Sequence, residues 1–154
     1  MPFFDLPLDQ LSEYKPTVLE NDDFDDFWTA TVSDARRAAY PVEHVVLDSA
    51  LARVIVEDVT FSGFDGQPVK AWYLRPAGVE GPLPGVVKYL GYGGGRGLPV
   101  EELVWVSAGY AVLVMDTRGQ GGAWGAGGQT ADDAPIGPSA PGFMTRGIQS
   151  PETY

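Results

Sequence analysis

The glycine-rich run Gly91-Tyr92-Gly93-Gly94-Gly95-Arg96-Gly97 is the segment whose residue types and spacing could most directly do chemistry. Three readings compete for it. A phosphate-binding loop requires G-x-x-x-x-G-K-[ST], and neither the lysine nor the hydroxyl follows here. A dinucleotide fingerprint requires G-x-G-x-x-G. Counted from Gly91 the sixth position is Arg96, so the glycine that lets helix and strand pack closely is absent. The third reading is an oxyanion-hole loop. HGGG-type sequences place a backbone N–H against the tetrahedral intermediate of acyl transfer, and Tyr92 stands in the histidine position before Gly93-Gly94-Gly95. Small residues let the backbone approach a substrate, and the N–H needs no side chain to act. On the residues alone, a tight turn that only joins a strand to a helix stays open beside it.

Acyl transfer by a serine also needs a nucleophile and a base. The seven serines are Ser12, Ser33, Ser49, Ser62, Ser107, Ser139 and Ser150, and none has a glycine two residues away on both sides. The G-x-S-x-G elbow is therefore absent from these 154 residues. The single histidine, His44, lies in a connector between Pro41 and Val45, ahead of the first expected strand, and reads as a surface or packing residue. Asp22, Asp23, Asp25 and Asp26 lack the spacing and the glycine of a calcium loop and read as charges at a helix start. With no cysteine there is no disulfide framework and no zinc–thiolate site.

The elements that must position the glycine run can be read from periodicity. Asp9–Tyr14 suits a short helical turn. Asn21–Arg37 is expected to be an amphipathic helix, capped by Asn21 or Asp22, with Phe24, Phe27, Trp28 and Val32 on one face and Arg36 and Arg37 in the last turn. Ala52–Phe61, with alternation at Val54, Val56 and Asp58, and Val69–Leu74 are expected to be two strands. The turn signal Phe64-Asp65-Gly66-Gln67 joins them into a hairpin. Gly85–Leu90 and Ala111–Asp116 are short, nearly continuous apolar runs of the kind buried parallel strands show. Between them Pro99 opens a helix that stops at Gly109. Strand, loop, helix and strand make a right-handed βαβ unit, so the fold class is α/β with a mixed, mostly parallel sheet.

Twelve of the 20 glycines fall between Gly91 and Gly128, at the carboxyl ends of the two apolar strands, where open α/β sheets bind ligands. From Thr117 to Ser150 Gly, Pro, Ala and Ser dominate, a length expected of a functional or a disordered loop, with Trp124, Phe143 and Met144 suited to anchor it.

Composition narrows the function classes. The hydrophobic content of 44% is that of a globular domain. A net charge of -11 disfavours nucleic acid and anionic membrane surfaces as partners. The acidic excess sits in residues 1–60, with 13 acids against 4 bases, and residues 61–154 carry 8 against 6. It reads as a solvated face that keeps the protein soluble. No signal-peptide pattern opens the chain and no apolar run approaches the ~20 residues of a membrane span, so a soluble, cytoplasmic protein is the expectation.

Six segments then occur together in one order: Phe3-Phe-Asp-Leu-Pro-Leu8, Asp58-Val-Thr-Phe-Ser-Gly63, Tyr89-Leu-Gly-Tyr92, Gly94-Gly-Arg-Gly97, Met115-Asp-Thr-Arg-Gly-Gln-Gly121 and Pro141-Gly-Phe-Met-Thr-Arg-Gly-Ile148. In this the chain resembles the acetyl xylan esterase/cephalosporin-C deacetylase family of α/β-hydrolases, over essentially its whole length. The resemblance implies a cytoplasmic serine esterase that deacetylates short acetylated xylo-oligosaccharides and cephalosporin C, forms a homo-oligomer (a hexamer), and needs no metal or cofactor. It implies that Tyr92 gives a backbone N–H to the oxyanion hole. Gly93, Gly94 and the signature Arg118-Gly119-Gln120 would support the active-site floor, with a buried ion pair as the alternative for Arg118. It further implies that residues 1–154 are the N-terminal part of a single α/β-hydrolase domain. Residues 1–50 are then a helical extension, and 51–154 hold the first strands, the oxyanion loop and a long active-site loop. The fold would be cut before the nucleophile elbow, so that elbow, acid and histidine lie in a C-terminal half. The chain alone is then expected to be inactive. A non-catalytic carbohydrate-binding or subunit-interaction module is the alternative.

Overall fold

The computed structural model describes residues 5–91, 94–119 and 130. The chain divides into two units, Met1–Ser33 and Asp34–Tyr154.

The first unit holds a single helical turn, α1 (Leu8–Leu11), and the start of α2 (Phe24–Arg37). The expected helix forms, but it begins later than Asn21 or Asp22. Phe24 N–H donates to Asn21 O in a turn, and Asp23 O accepts the first i→i−4 bond, from Phe27 N–H at 2.8 Å. Asp25 and Asp26 occupy the first turn and Arg36 and Arg37 the last, each sign at the helix end that favours it. Phe24, Phe27 and Trp28 pack ring edge to ring face at 5.4–6.3 Å, and that face is exposed.

The second unit is built on a five-stranded sheet: β1 (Glu43–Val46), β2 (Val54–Ser62), β3 (Pro68–Pro76), β4 (Gly85–Lys88) and β5 (Ala111–Met115), in the order β1-β2-β3-β5-β4. The β2–β3 hairpin pairs from Val54↔Pro76 to Ser62↔Pro68. Its turn uses the sequence as hairpin chemistry demands. Asp65 (φ 52°) and Gly66 (φ 71°) both take the left-handed conformation that an Asp-Gly turn matches to strand twist, and Gln67 N–H closes it on Phe64 O. β4 and β5 run parallel, joined through a 3₁₀ turn at Pro99–Glu102 and the helix α3 (Leu103–Ser107). Gly109 ends that helix at φ 93°. Its N–H donates to Val106 O and Tyr110 N–H reaches back to Trp105 O, the Schellman pattern, with the Trp105 and Tyr110 rings in edge contact.

The α/β architecture is therefore present, with a mixed sheet. Among the described strands the parallel character is confined to β4·β5. β1·β2 and β2·β3 are antiparallel, and so is β3·β5, because β5 enters between β3 and β4 in the direction opposite to β3. β1 lies inside the 1–50 stretch read as helical, and it carries His44, which is a strand residue rather than part of a connector.

Alternate strand positions sort the side chains onto two faces. On one, Val56, Leu74, Val112 and Val114 are fully buried beneath Val106 of α3, with Leu47, Leu51, Val54, Trp72 and Leu90 around them. Each such side chain contributes about 1.5–3 kcal/mol by leaving water, so this layer holds the strand ends that carry the loop in place. No helix among the described residues is long and apolar enough to cross a membrane.

Candidate functional site

The glycine run follows β4, and its limb Gly94–Gly97 is buried, held across the middle of β2 and β3 and at Asp116, the residue after β5. Tyr92, Gly93 and Gln120 lie outside the described residues. Gly94, Arg118 and Gly119 are within them.

What pins the limb is Arg96. Its side chain runs over β3, with the guanidinium carbon 3.6 Å from the centre of the Trp72 ring, and the residue is 2% exposed. One guanidinium nitrogen, Nη1, donates to Asp58 Oδ1 at 2.7 Å and to the Ala71 carbonyl at 2.8 Å. Its backbone N–H donates to Asp116 Oδ1 at 2.6 Å, and Nε lies 3.7 Å from Asp116 Oδ2. Trp72 Nε1–H donates to the Gly97 carbonyl at 3.0 Å. On the other side of positions 92 and 93, Gly91 O accepts from Gly94 N–H at 3.0 Å. A buried cation is thus matched by two carboxylates and an aromatic face, the arrangement a buried charge requires.

Asp116 directly follows β5 and is fully buried. Its own N–H donates to Lys70 O at 2.8 Å, which locks the strand end to β3. Lys70 Nζ stands 3.5 Å from Asp58 Oδ2. Behind the loop, the Lys88 ammonium at the end of β4 pairs with the buried carboxylate of Glu102 and ties the strand to the start of the following helix.

Arg118 is nearly buried. It donates to Gln67 Oε1 and lies 5.9 Å over the Phe64 ring, so it holds the chain after β5 against the tip of the β2–β3 hairpin. Gly119 N–H donates to Thr130 O, and Thr130 Oγ1 accepts from Lys70 N–H at 2.9 Å. Thr130, itself buried, thereby links Gly119 to β3. Trp124, Phe143 and Met144 fall outside the described residues.

Gly94 follows β4 and Arg118 and Gly119 follow β5, at the end of the sheet where the β2–β3 hairpin turns, and His44 lies elsewhere. His44 Nδ1 sits 2.9 Å from Glu57 Oε2, with Arg75 Nε 3.4 Å from the other carboxylate oxygen. It borders an open apolar groove of about 380 Å³ lined by Val42, Val59, Phe61, Tyr73 and Leu113, on the sheet face opposite Arg96. Among the described residues no cluster of three or more His, Asp or Glu side chains could hold a metal ion.

Sequence reasoning passed over Arg96, Asp58, Trp72 and Asp116 as a unit. The available signal was a phase violation. Asp58 continues the Val54, Val56 alternation into the core face, and a carboxylate in that phase calls for a buried cation.

The comparisons with known proteins agree in direction. The family model for acetyl xylan esterase matches residues 1–154. The acetyl xylan esterase from Paenibacillus sp. R4 superposes with a TM-score of 0.79 at 40% identity, covering 97% of this chain and 46% of that one. Acetyl xylan esterase 1 from Thermoanaerobacterium sp. JW/SL YS485 gives 0.77 at 30% identity, covering 96% and 44%. The chain spans less than half the length of either relative.

Proposed function

The chain belongs to the acetyl xylan esterase family, and from that premise we propose that it supplies the first strands and the oxyanion loop of a serine carboxylesterase. The substrates are small acetyl esters, short acetylated xylo-oligosaccharides and cephalosporin C. The observation that carries the reading is the buried limb Gly94–Gly97 in the loop after β4, tethered by Arg96 to Asp58 of β2 and to Asp116 just past β5.

In acyl transfer, attack on the ester carbonyl places negative charge on its oxygen. A fixed backbone N–H stabilises that charge without reorganisation, and losing one such donor costs about 10²–10³ in kcat. The Tyr92 N–H fills this role, with Gly93 and Gly94 leaving room for the ester. Arg118, which reaches the hairpin tip, supports the floor of the site together with Gly119 and Gln120. The nucleophile, its histidine and the acid come from polypeptide beyond these 154 residues, which contain no G-x-S-x-G. The working enzyme is a cytoplasmic homo-oligomer, a hexamer, and the C-terminal half is this chain's first partner.

Acetate release from a small acetyl ester tests this. The purified 154-residue chain is expected at the blank rate, and the chain completed by the C-terminal part of the Paenibacillus sp. R4 enzyme is expected to turn over. Turnover by the chain alone that survives repurification would place the chemistry in residues assigned no role here. Saturable binding of acetylated oligosaccharide by a completed protein that never turns over would instead favour a non-catalytic binding module.

A further inference from the structure

A run of glycines has no side chains with which to hold its own place, yet the limb Gly94–Gly97 is buried and is hydrogen-bonded at Gly94, Arg96 and Gly97. We infer that Arg96 is a positioning residue whose guanidinium sets where this limb stands against the middle of β2 and β3 and the end of β5. The catalytic consequence rests on the oxyanion-loop reading above; the tether itself rests on geometry alone.

The contacts are directional, which separates a tether from a space-filling side chain. The guanidinium carbon sits 3.6 Å from the centre of the Trp72 ring while Nη1 donates to two acceptors on two strands, Asp58 Oδ1 on β2 and Ala71 O on β3. The main chain of the same residue is held from a third strand, through Asp116 Oδ1 at the end of β5. The indole under the cation also holds the next carbonyl, Gly97 O. Three strands thus converge on two consecutive loop residues. The Gly94 N–H to Gly91 O bond carries the constraint across to the other shoulder of the loop. A lysine could keep the charge and donate from one nitrogen, but its ammonium lacks the delocalised guanidinium that sits over the indole face.

Placement at this level matters for rate. An oxyanion donor works at 2.7–3.1 Å from the developing charge, and a displacement of about 1 Å from residues outside the chemistry can cost about 10²-fold. Loss of the tether is therefore expected in kcat more than in KM.

The test uses Arg96→Lys and Trp72→Phe in the 154-residue chain, with amide hydrogen exchange read by mass spectrometry. Exchange in the peptide spanning 94–98 is expected to speed up by about tenfold or more, as local opening without global unfolding does. Peptides from β3 and β5 should stay at their parent rates. Trp72→Phe keeps an aromatic ring beneath the guanidinium and removes the bond to Gly97, so it reads the indole's share of the anchorage, and Asp58→Asn, which takes the charge from the guanidinium's partner on β2, reads the share of Arg96 if Arg96→Lys does not fold. Unchanged exchange at 94–98 in the folded variants overturns the inference. In the chain completed by the relative's C-terminal part, the same substitutions are expected to lower kcat about 10²-fold, with KM within about twofold. Faster loop exchange with kcat intact would keep Arg96 as the tether and refute the oxyanion reading. A loss of kcat with loop exchange unchanged would overturn the positioning role.

Discussion

Replacing Arg96 by Met should unfold the loop's anchorage at a cost that can be worked from the contacts. The guanidinium lies 2.7 Å from Asp58 Oδ1 and 3.7 Å from Asp116 Oδ2. At an effective dielectric of about 20 each pair attracts by about 4–6 kcal/mol, most of which offsets the desolvation of the three charges. Methionine removes the attraction and leaves the desolvation. Asp116 has no route to water, being fully buried, and bears most of the penalty. Asp58 bears less, because its side chain is 23% exposed and Lys70 Nζ stands 3.5 Å from its other oxygen. Breaking a buried pair from one side costs about 3–5 kcal/mol, and Asp58's partial rescue puts Arg96→Met near ~3. Set against a total stability of ~5–15 kcal/mol, this is a large share. With a urea slope of about 1–3 kcal/mol per molar, the midpoint should fall by roughly 1–3 M. Urea unfolding followed by tryptophan fluorescence and far-UV circular dichroism, at two protein concentrations, measures it. Arg37→Met, which breaks only the exposed pair with Asp34, serves as control and should leave the midpoint in place. An Arg96→Met midpoint within about 0.3 M of the parent, at equal slope, would mean that the buried cation contributes no net stability, and the charge accounting would be refuted.

Leu74→Ala empties the centre of the sheet core and should cost about 2–5 kcal/mol in the same urea assay, whereas exposed Val104→Ala should stay within about 0.5. Gly109→Ala meets no neighbouring atom, so its cost is backbone strain alone at φ 93°. A loss of about 1–2 kcal/mol is expected, and a neutral result would show that the helix end relaxes. His44→Gln should leave acetate release by the completed enzyme unchanged, since the ring is paired with Glu57 on the sheet face away from the glycine limb. A drop of tenfold or so would mean that this histidine reaches the chemistry after all.

The sequence by itself determined the elements whose causes are local. The Asp65-Gly66 turn, the Pro99 start, the Gly109 stop and the apolar runs at Gly85–Leu90 and Ala111–Asp116 all rest on backbone preferences and periodicities carried by neighbouring residues. The family resemblance was readable for the same reason, in short contiguous motifs. The tertiary structure alone decided the rest. That β1 joins the sheet, that β5 enters between β3 and β4, and that Arg118 braces the hairpin tip all depend on pairings between distant segments. So does the anchorage of the glycine loop, where Arg96 meets Asp116, Ala71 and Asp58 across 20, 25 and 38 residues. Periodicity marks Asp58 only as a charge in the wrong phase. Its partner becomes visible once strand register brings the buried cation beside it, because charge compensation is a property of assembled space rather than of adjacent sequence.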